Sequence, residues 1–342
     1  MYDRKAELNN CNFVKTVLML LIVLCHSAAF WTENWFSGDP VFKSVFLSDL
    51  SNWLGTFHVY CFCLVSGYIF YYLKFEKCSK KYTDFAVFTK TKIKRLLIPF
   101  VFASIFYVIP ISAYFFNYSV KDIIIKYVFA VSPSQLWFLI MLFDVFIIFY
   151  ILSEYVNKHT FIGVIIFLIM YALSVILPHV AVNAFQIINA LKFLVFFYIG
   201  FIIRKYGLPQ LLRKINILAA ILLDIIIFII YNRFGFRNLY FNTAITFFMY
   251  LFGAVVMFSS LQKLSGKINA DNKYLAFLNK HTMTIYLFHQ QIIYFSIRML
   301  NGIVSPYLHC IINFVFSLLV SILISVILHR FKVTRFLIGD RP

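Results

Sequence analysis

The sequence predicts an all-helical integral membrane protein of about ten transmembrane helices with both termini in the cytoplasm. Of its 342 residues, 62% are hydrophobic and 13% are charged, against roughly 25% charged in ordinary soluble domains. The apolar residues fall into runs near the ~20 residues a helix needs to cross the hydrocarbon. The cations between the runs are unevenly shared. With ten spans, one side of the membrane receives 23 Lys and Arg and the other 5, with Lys15, Lys192 and Arg298 inside spans. Such a bias marks the cytoplasmic side. The net charge of +18 is therefore read as membrane orientation and not as a nucleic-acid surface.

The spans run in order. The first, 12–31, carries Lys15 and His26; its apolar run lacks a small-residue cleavage site and is expected to stay as a helix. The second, 50–73, carries His58 and Ser66-Gly67. A basic segment, Lys74 to Arg95, leads to the third, 95–116. Trp137 and Asp144 lie seven residues apart on one face of the fourth, 136–153. The fifth, 160–178, holds no ionisable residue, the sixth, 183–203, holds Lys192, and the seventh, 215–231, holds Asp224. The eighth is 238–260, the ninth, 278–299, carries His289 and Arg298, and the tenth is 304–329. Ten spans and short loops use the whole length, so 1–342 is expected to be one membrane domain without a separate soluble one. No repeat or low-complexity tract interrupts it. The six Cys form no CxxC pair, so they read as small apolar residues, and no metal site is expected.

Ionisable residues inside a membrane are costly and mark function by default. Lys15 and His26 share one face of the first helix, about 16 Å apart along it. A cation near the cytoplasmic mouth and a proton acceptor at depth suit a long ligand with an anionic head and a reactive far end, the shape of an acyl-coenzyme A. A snorkelling Lys and a packed His would give the same pattern. Counted from opposite surfaces, His26 and His58 reach nearly the same depth, and His289 falls near the middle of its helix. Ser66 lies about 12 Å along the helix from His58, too far for a nucleophile and its base, and Gly67 beside it permits close helix contact. Asp144 is expected to pair with a basic residue or orient a His. Lys192 is expected to meet a phosphate or an Asp.

Several segments resemble the acyltransferase-3 family of integral membrane O-acyltransferases. Lys15 to His26, within NFVKTVLMLLIVLCH, is similar to its opening basic-residue, ten-residue gap, His signature. FHVYCFCLVSGYIF, KIKRLLIPF, LWFL, FFYIG and IYLFHQQI resemble its later blocks, in the family's order. Asn12 stands where Asp is usual, Lys15 where Arg is common, and Thr16 where Gly often follows; Tyr60, Cys61 and Cys63 replace the usual Pro and Phe. The resemblance implies transfer of an acyl group, most simply acetyl, from cytoplasmic acyl-coenzyme A to a sugar hydroxyl of a surface polysaccharide or its lipid-linked precursor. It implies His26 as general base, with His58 orienting it or stabilising the oxyanion. Lys15, Arg95, Lys92 and Lys94 would hold the donor's phosphates, supported by Ser66, Trp137, Asp144, Lys192 and His289. Acetyl-coenzyme A enters as co-substrate and no cofactor is permanently bound. The partners are then acyl-coenzyme A, the glycan acceptor and lipid, with no nucleic acid, in a bacterial cytoplasmic (inner) membrane. The outer loop 32–50, with Trp31, Trp35 and Trp53 around it, is where the acceptor would enter, although these rings better suit an interfacial belt. The competing readings are a multi-pass transporter or flippase of a glycan or lipid, a transferase using another donor such as succinyl-coenzyme A, and a structural subunit.

Overall fold

The computed structural model describes residues 4–32, 35–208, 216–235, 238–267 and 272–340, and all regular structure among them is helical. Nine of the described helices are long and apolar enough to cross a membrane. In chain order they are α1 Leu8–Trp31, α2 Val45–Glu76, α3 Phe85–Phe116, α4 Ser134–Lys158, α5 Thr160–His179, α6 Ala184–Tyr206, α7 Ile217–Phe234, α8 Tyr240–Ser265 and α10 Pro306–Leu328. Between the last two lies α9, Lys273–Leu300. Its 28 residues give about 42 Å of helix, ample for a crossing. It is more polar than the others because His281, His289, Gln290 and Gln291 all point into the bundle, where each is buried. The chain is a multi-pass membrane protein, with about ten long helices among the described residues.

Two helices start earlier than the apolar pattern predicts, because a polar side chain caps each new start. Ser44 accepts the Leu47 N–H at the head of α2, and Asp84 accepts the Val87 N–H at the head of α3. Lys90, Lys92 and Lys94 therefore stand on a helix, not in a loop. Pro99 and Pro110 interrupt α3; neither can donate to the carbonyl four residues back, and a wide π turn precedes each, at Ile93–Leu97 and Ser104–Val108.

The centre is built on α2 against α6. A Cβ on Gly67 would stand 1.8 Å from the Phe197 carbonyl oxygen, and one on Gly200 1.8 Å from that of Leu64. Only the absence of both side chains lets the backbones meet, as small residues do in membrane helix pairs. At the cytoplasmic ends Arg204 grips Glu76 through two hydrogen bonds of 2.6 and 2.7 Å. Lys74 Nζ donates to Ser153 Oγ at 2.7 Å and pairs with Glu154 at 3.1 Å. α5, α7 and α10 lie at the periphery, their exposed Ile, Leu and Phe side chains facing lipid. A short C-terminal helix, α11 (Lys332–Leu337), folds back so that Gly339 sits against Pro99 and the Arg95 backbone.

Candidate functional site

α2 is broken immediately before His58. Thr56 and Phe57 form a turn between its two halves, and Phe57 leaves helical geometry at φ −133°. The break exposes the Leu54 carbonyl, which His58 Nδ1 takes at 2.6 Å. A carbonyl only accepts, so Nδ1 carries the proton and the His58 Nε2 lone pair is left open.

His26 stands near the outer end of α1. Its Nδ1 lies 2.8 Å from Nε2 of His289 on α9, and the two rings stack with centroids 5.0 Å apart. His289 Nδ1 faces the carbonyls of Ile285 and Tyr286, each at 2.9 Å. Those carbonyls require a proton on His289 Nδ1, which leaves its Nε2 as an acceptor. His26 must then donate from Nδ1, and its own Nε2 is the free lone pair. The tautomers follow from the hydrogen-bond partners. One backbone-anchored histidine thus fixes the orientation and proton position of another, a carboxylate's usual task in such pairs.

Both open lone pairs belong to residues lining one cavity of about 370 Å³ in the outer half of the bundle. α1 supplies His26, α2 Gly55 and His58, α4 Trp137, α6 Lys192 and Phe193, and α9 Tyr286. Trp35 reaches over from the first outer loop, its ring 6.0 Å from that of His26 and 5.4 Å from that of Tyr294. Trp31 and Trp53 do not form a belt here. Trp31 is buried and donates to the Phe42 carbonyl, and Trp53 donates to Asp224 Oδ2 at 2.9 Å.

A buried amide network holds α9 in register. Gln135 donates to the Leu287 carbonyl and exchanges hydrogen bonds with Gln291 at 2.7 and 3.1 Å. Gln290 donates to Ser134 Oγ and the Tyr294 hydroxyl, and Tyr286 donates to the Gln135 carbonyl. These bonds tie the turn entering α4 to the two residues that follow His289. Sequence reasoning passed over them because it counted ionisable groups; the unbroken run His289-Gln290-Gln291 inside an apolar span was the available signal.

The expected donor-binding residues separate into three situations. Lys15 and Arg95 lie close enough to repel each other, and Lys92 joins them. None of the three forms an ion pair with a described carboxylate. Lys92, however, is enclosed by rings: its Nζ stands 3.3 Å from the Phe146 centroid and 5.0 Å from those of Tyr82 and Phe88, and it donates to the Tyr82 hydroxyl. Lys94 is exposed and turns to the Phe336 ring of α11 at 5.8 Å, apart from the cluster.

Among the supporting residues, Trp137 and His289 join the site. Ser66 Oγ donates to the Phe62 carbonyl of its own helix at 2.8 Å and packs beside the Gly67 contact. Asp144 is on α4 without the expected basic partner; its Oδ2 is buried and unpaired among the described residues. Lys192 likewise finds no Asp. Its Nζ lies over the stacked Tyr60 and Tyr250 rings, 5.7 and 5.4 Å from their centroids. No group of His, Cys, Asp and Glu suited to a metal ion occurs among the described residues.

A second histidine cluster lies at the cytoplasmic end of α9 and α10. Ser325 Oγ bridges His281 Nδ1 at 2.7 Å and His329 Nδ1 at 3.2 Å, and His329 Nε2 is 3.2 Å from Asp340 Oδ2. Neither ring lines the outer cavity.

Residues 8–330 match the model of the acyltransferase-3 family, described as an acyltransferase domain. No curated protein and no solved structure matches the chain.

Proposed function

The chain belongs to the acyltransferase-3 family and is a membrane acyltransferase; from that premise we propose that it moves an acyl group from acyl-coenzyme A to a sugar hydroxyl, with His26 as general base. The donor comes from the cytoplasm. The acceptor is a surface polysaccharide or its lipid-linked precursor at the outer half of a bacterial inner membrane. One observation carries this reading: the His289–His26 hydrogen bond at 2.8 Å leaves a directed, unprotonated Nε2 in a membrane cavity.

In this scheme Lys15 and Arg95 engage the donor's phosphates. Cations without protein counter-charges invite an anionic ligand, since an unpaired charge near a low-dielectric interior is costly. Lys92, sealed among rings, adds to the local potential more than it contacts a phosphate. The acceptor hydroxyl gives its proton to His26 Nε2 as its oxygen forms a bond to the thioester carbonyl carbon. The tetrahedral intermediate collapses with loss of the coenzyme A thiolate, which receives the proton from His26. His289 stabilises the transient imidazolium by accepting from its Nδ1–H. General base catalysis of this kind is worth about 10²–10⁴-fold.

The tautomer of His58 revises its expected role. With its proton committed to the Leu54 carbonyl, a neutral His58 cannot donate to an oxyanion; it accepts from a substrate hydroxyl and so orients it. The donor left for the oxyanion in the cavity wall is the Trp137 indole N–H, which has no hydrogen-bond partner among the described residues. Acetyl-coenzyme A is the simplest donor, as a consumed co-substrate and not a resident group; succinyl-coenzyme A is the alternative.

The test is deletion of the gene and its restoration as wild type or His26→Ala, with the variant shown to reach the membrane at normal level. Ester-linked acyl groups on the purified surface glycan are read by mass spectrometry and proton NMR. Loss on deletion, return with wild type and continued absence with His26→Ala is the expected result. Unchanged acylation with reduced glycan export would replace transferase by transporter.

A further inference from the structure

The outer cavity is lopsided in charge. Its lining includes His26, His58, Tyr60 and Tyr286, and one amine, Lys192, but no carboxylate. Lys192 makes no hydrogen bond or ion pair with a described residue, and its ammonium lies by the rings of Tyr60 and Tyr250. Those rings stack on each other 4.5 Å apart and form a fixed cradle. Rings satisfy a cation from one side and offer no counter-charge, so donor capacity remains toward the cavity. A basic side chain held in a membrane without a counter-ion points to a ligand that brings one.

We propose that the acceptor is an acidic sugar, and that Lys192 binds a carboxylate or phosphate carried close to the hydroxyl that is acylated. The inference rests on the reading of this cavity as the acyl-transfer site. Three points favour the acceptor over the donor as the source of the anion. Lys192 is five residues, about 8 Å, from Ile187, where the regular helix of α6 begins at its outer end. In the proposed scheme the donor's phosphates are taken by Lys15 and Arg95 at the opposite face. Finally, Trp137 packs against Phe193, the neighbour of Lys192, with ring centroids 5.8 Å apart, which puts a flat apolar surface for a sugar ring beside the cation. His26 and His58 then present lone pairs to hydroxyls while Lys192 fixes the charged substituent, so that one hydroxyl of the ring faces the base.

Full-length protein in lipid nanodiscs is titrated calorimetrically with methyl glucuronide, glucose 6-phosphate and methyl glucoside, as wild type, Lys192→Met and Lys192→Arg. The anionic sugars are expected to bind wild type at least about tenfold more tightly than the neutral one, the scale of one partly desolvated charge pair. Lys192→Met is expected to erase that preference without changing glucoside binding, and Lys192→Arg to keep most of it. Equal affinity of the wild type for charged and neutral sugars overturns the proposal, as does equal loss of all three with Lys192→Met, which would make Lys192 structural. Turnover of the same samples with acetyl- and succinyl-coenzyme A locates the charge. A Lys192→Met defect confined to the succinyl donor assigns the anion to the acyl group and overturns the acceptor assignment. Charge-selective binding without transfer of acyl to any sugar, with no glycan acyl signal in the restored strain, removes the acyl-transfer reading while Lys192 keeps its ligand. Transfer to the acidic sugars that is indifferent to Lys192 does the reverse.

Discussion

The His26–His289 and His281–His329 pairs have the same ring separation, 5.0 Å, at opposite faces of one bundle. The outer pair is stacked at 13° and joined nitrogen to nitrogen. The cytoplasmic pair is crossed at 79° and joined through Ser325. In the outer pair every proton is directed, from His26 to His289 and from His289 to backbone carbonyls, so one lone pair is left over and it borders a cavity. In the cytoplasmic pair His329 Nδ1 is taken by the Ser325 carbonyl at 2.6 Å and its Nε2 faces Asp340. Ser325 itself is fully buried, with no room for a substrate beside it. Two imidazoles in contact are therefore not a catalytic device in themselves. What separates the pairs is whether hydrogen bonding leaves one acceptor nitrogen unused where a ligand can reach it.

The sharpest break of this comparison is His26→Ala, expected to lower acyl transfer by about 10²–10⁴-fold in membranes given acyl-coenzyme A. A loss below about threefold would show that the base lies elsewhere. Next comes His289→Ala, which removes the acceptor that sets the His26 tautomer. Losing such an orienting partner costs about 10–100-fold, read in kcat with little change in KM. The His26→Ala/His289→Ala double variant should be no worse than His26→Ala alone, because the two act as a unit; additive losses would mean that His289 has a separate task.

A third measurement concerns the cytoplasmic side. Lys15→Ala should raise KM for acyl-coenzyme A about tenfold with kcat nearly kept, and the wild-type KM should itself rise with salt. A fall in kcat at unchanged KM would detach Lys15 from donor binding. The smallest effect on transfer is expected from His281→Ala. It leaves Ser325 and His329 with fewer partners, so it should lower the unfolding temperature of the purified protein while activity stays within about threefold, as for a lost buried hydrogen bond worth about 1–3 kcal/mol. Abolished transfer with unchanged thermal stability would put the cytoplasmic cluster into the chemistry and dissolve the contrast.

Much of the fold was legible because membrane insertion reads quantities summed along the chain. Hydropathy over a window and the count of cations between windows set the number of helices. The depth of His26 and His58 was equally a one-dimensional matter, rise per residue measured from opposite surfaces, and both line the same cavity. Gly67 was legible as a packing residue from its type alone, though nothing in the sequence announced that the Phe197 carbonyl would lie where its side chain would be. The π turns before Pro99 and Pro110, by contrast, follow from local chemistry that any reading could have used.

Rotation about each helix axis was not legible. In a soluble helix an apolar stripe tells which face looks inward; here lipid and core are both apolar, so the pattern that would orient the helix is erased. The partner of His26 is 263 residues away. Only packing decided that it would be His289, that rings would seal Lys92, that Lys94 would turn to Phe336, and that Asp144 would face no cation. The break at Thr56–Phe57, which commits the His58 proton to Leu54, was likewise a tertiary outcome. By itself the sequence determined a membrane protein of about ten helices, with histidines at matching depth and cations gathered on one side, since composition and length act along the chain; its resemblance to an acyltransferase family rested on short motifs. The tertiary structure alone decided which nitrogen carries each proton and which charge is left without a partner, since those depend on contacts between helices that the apolar pattern cannot specify.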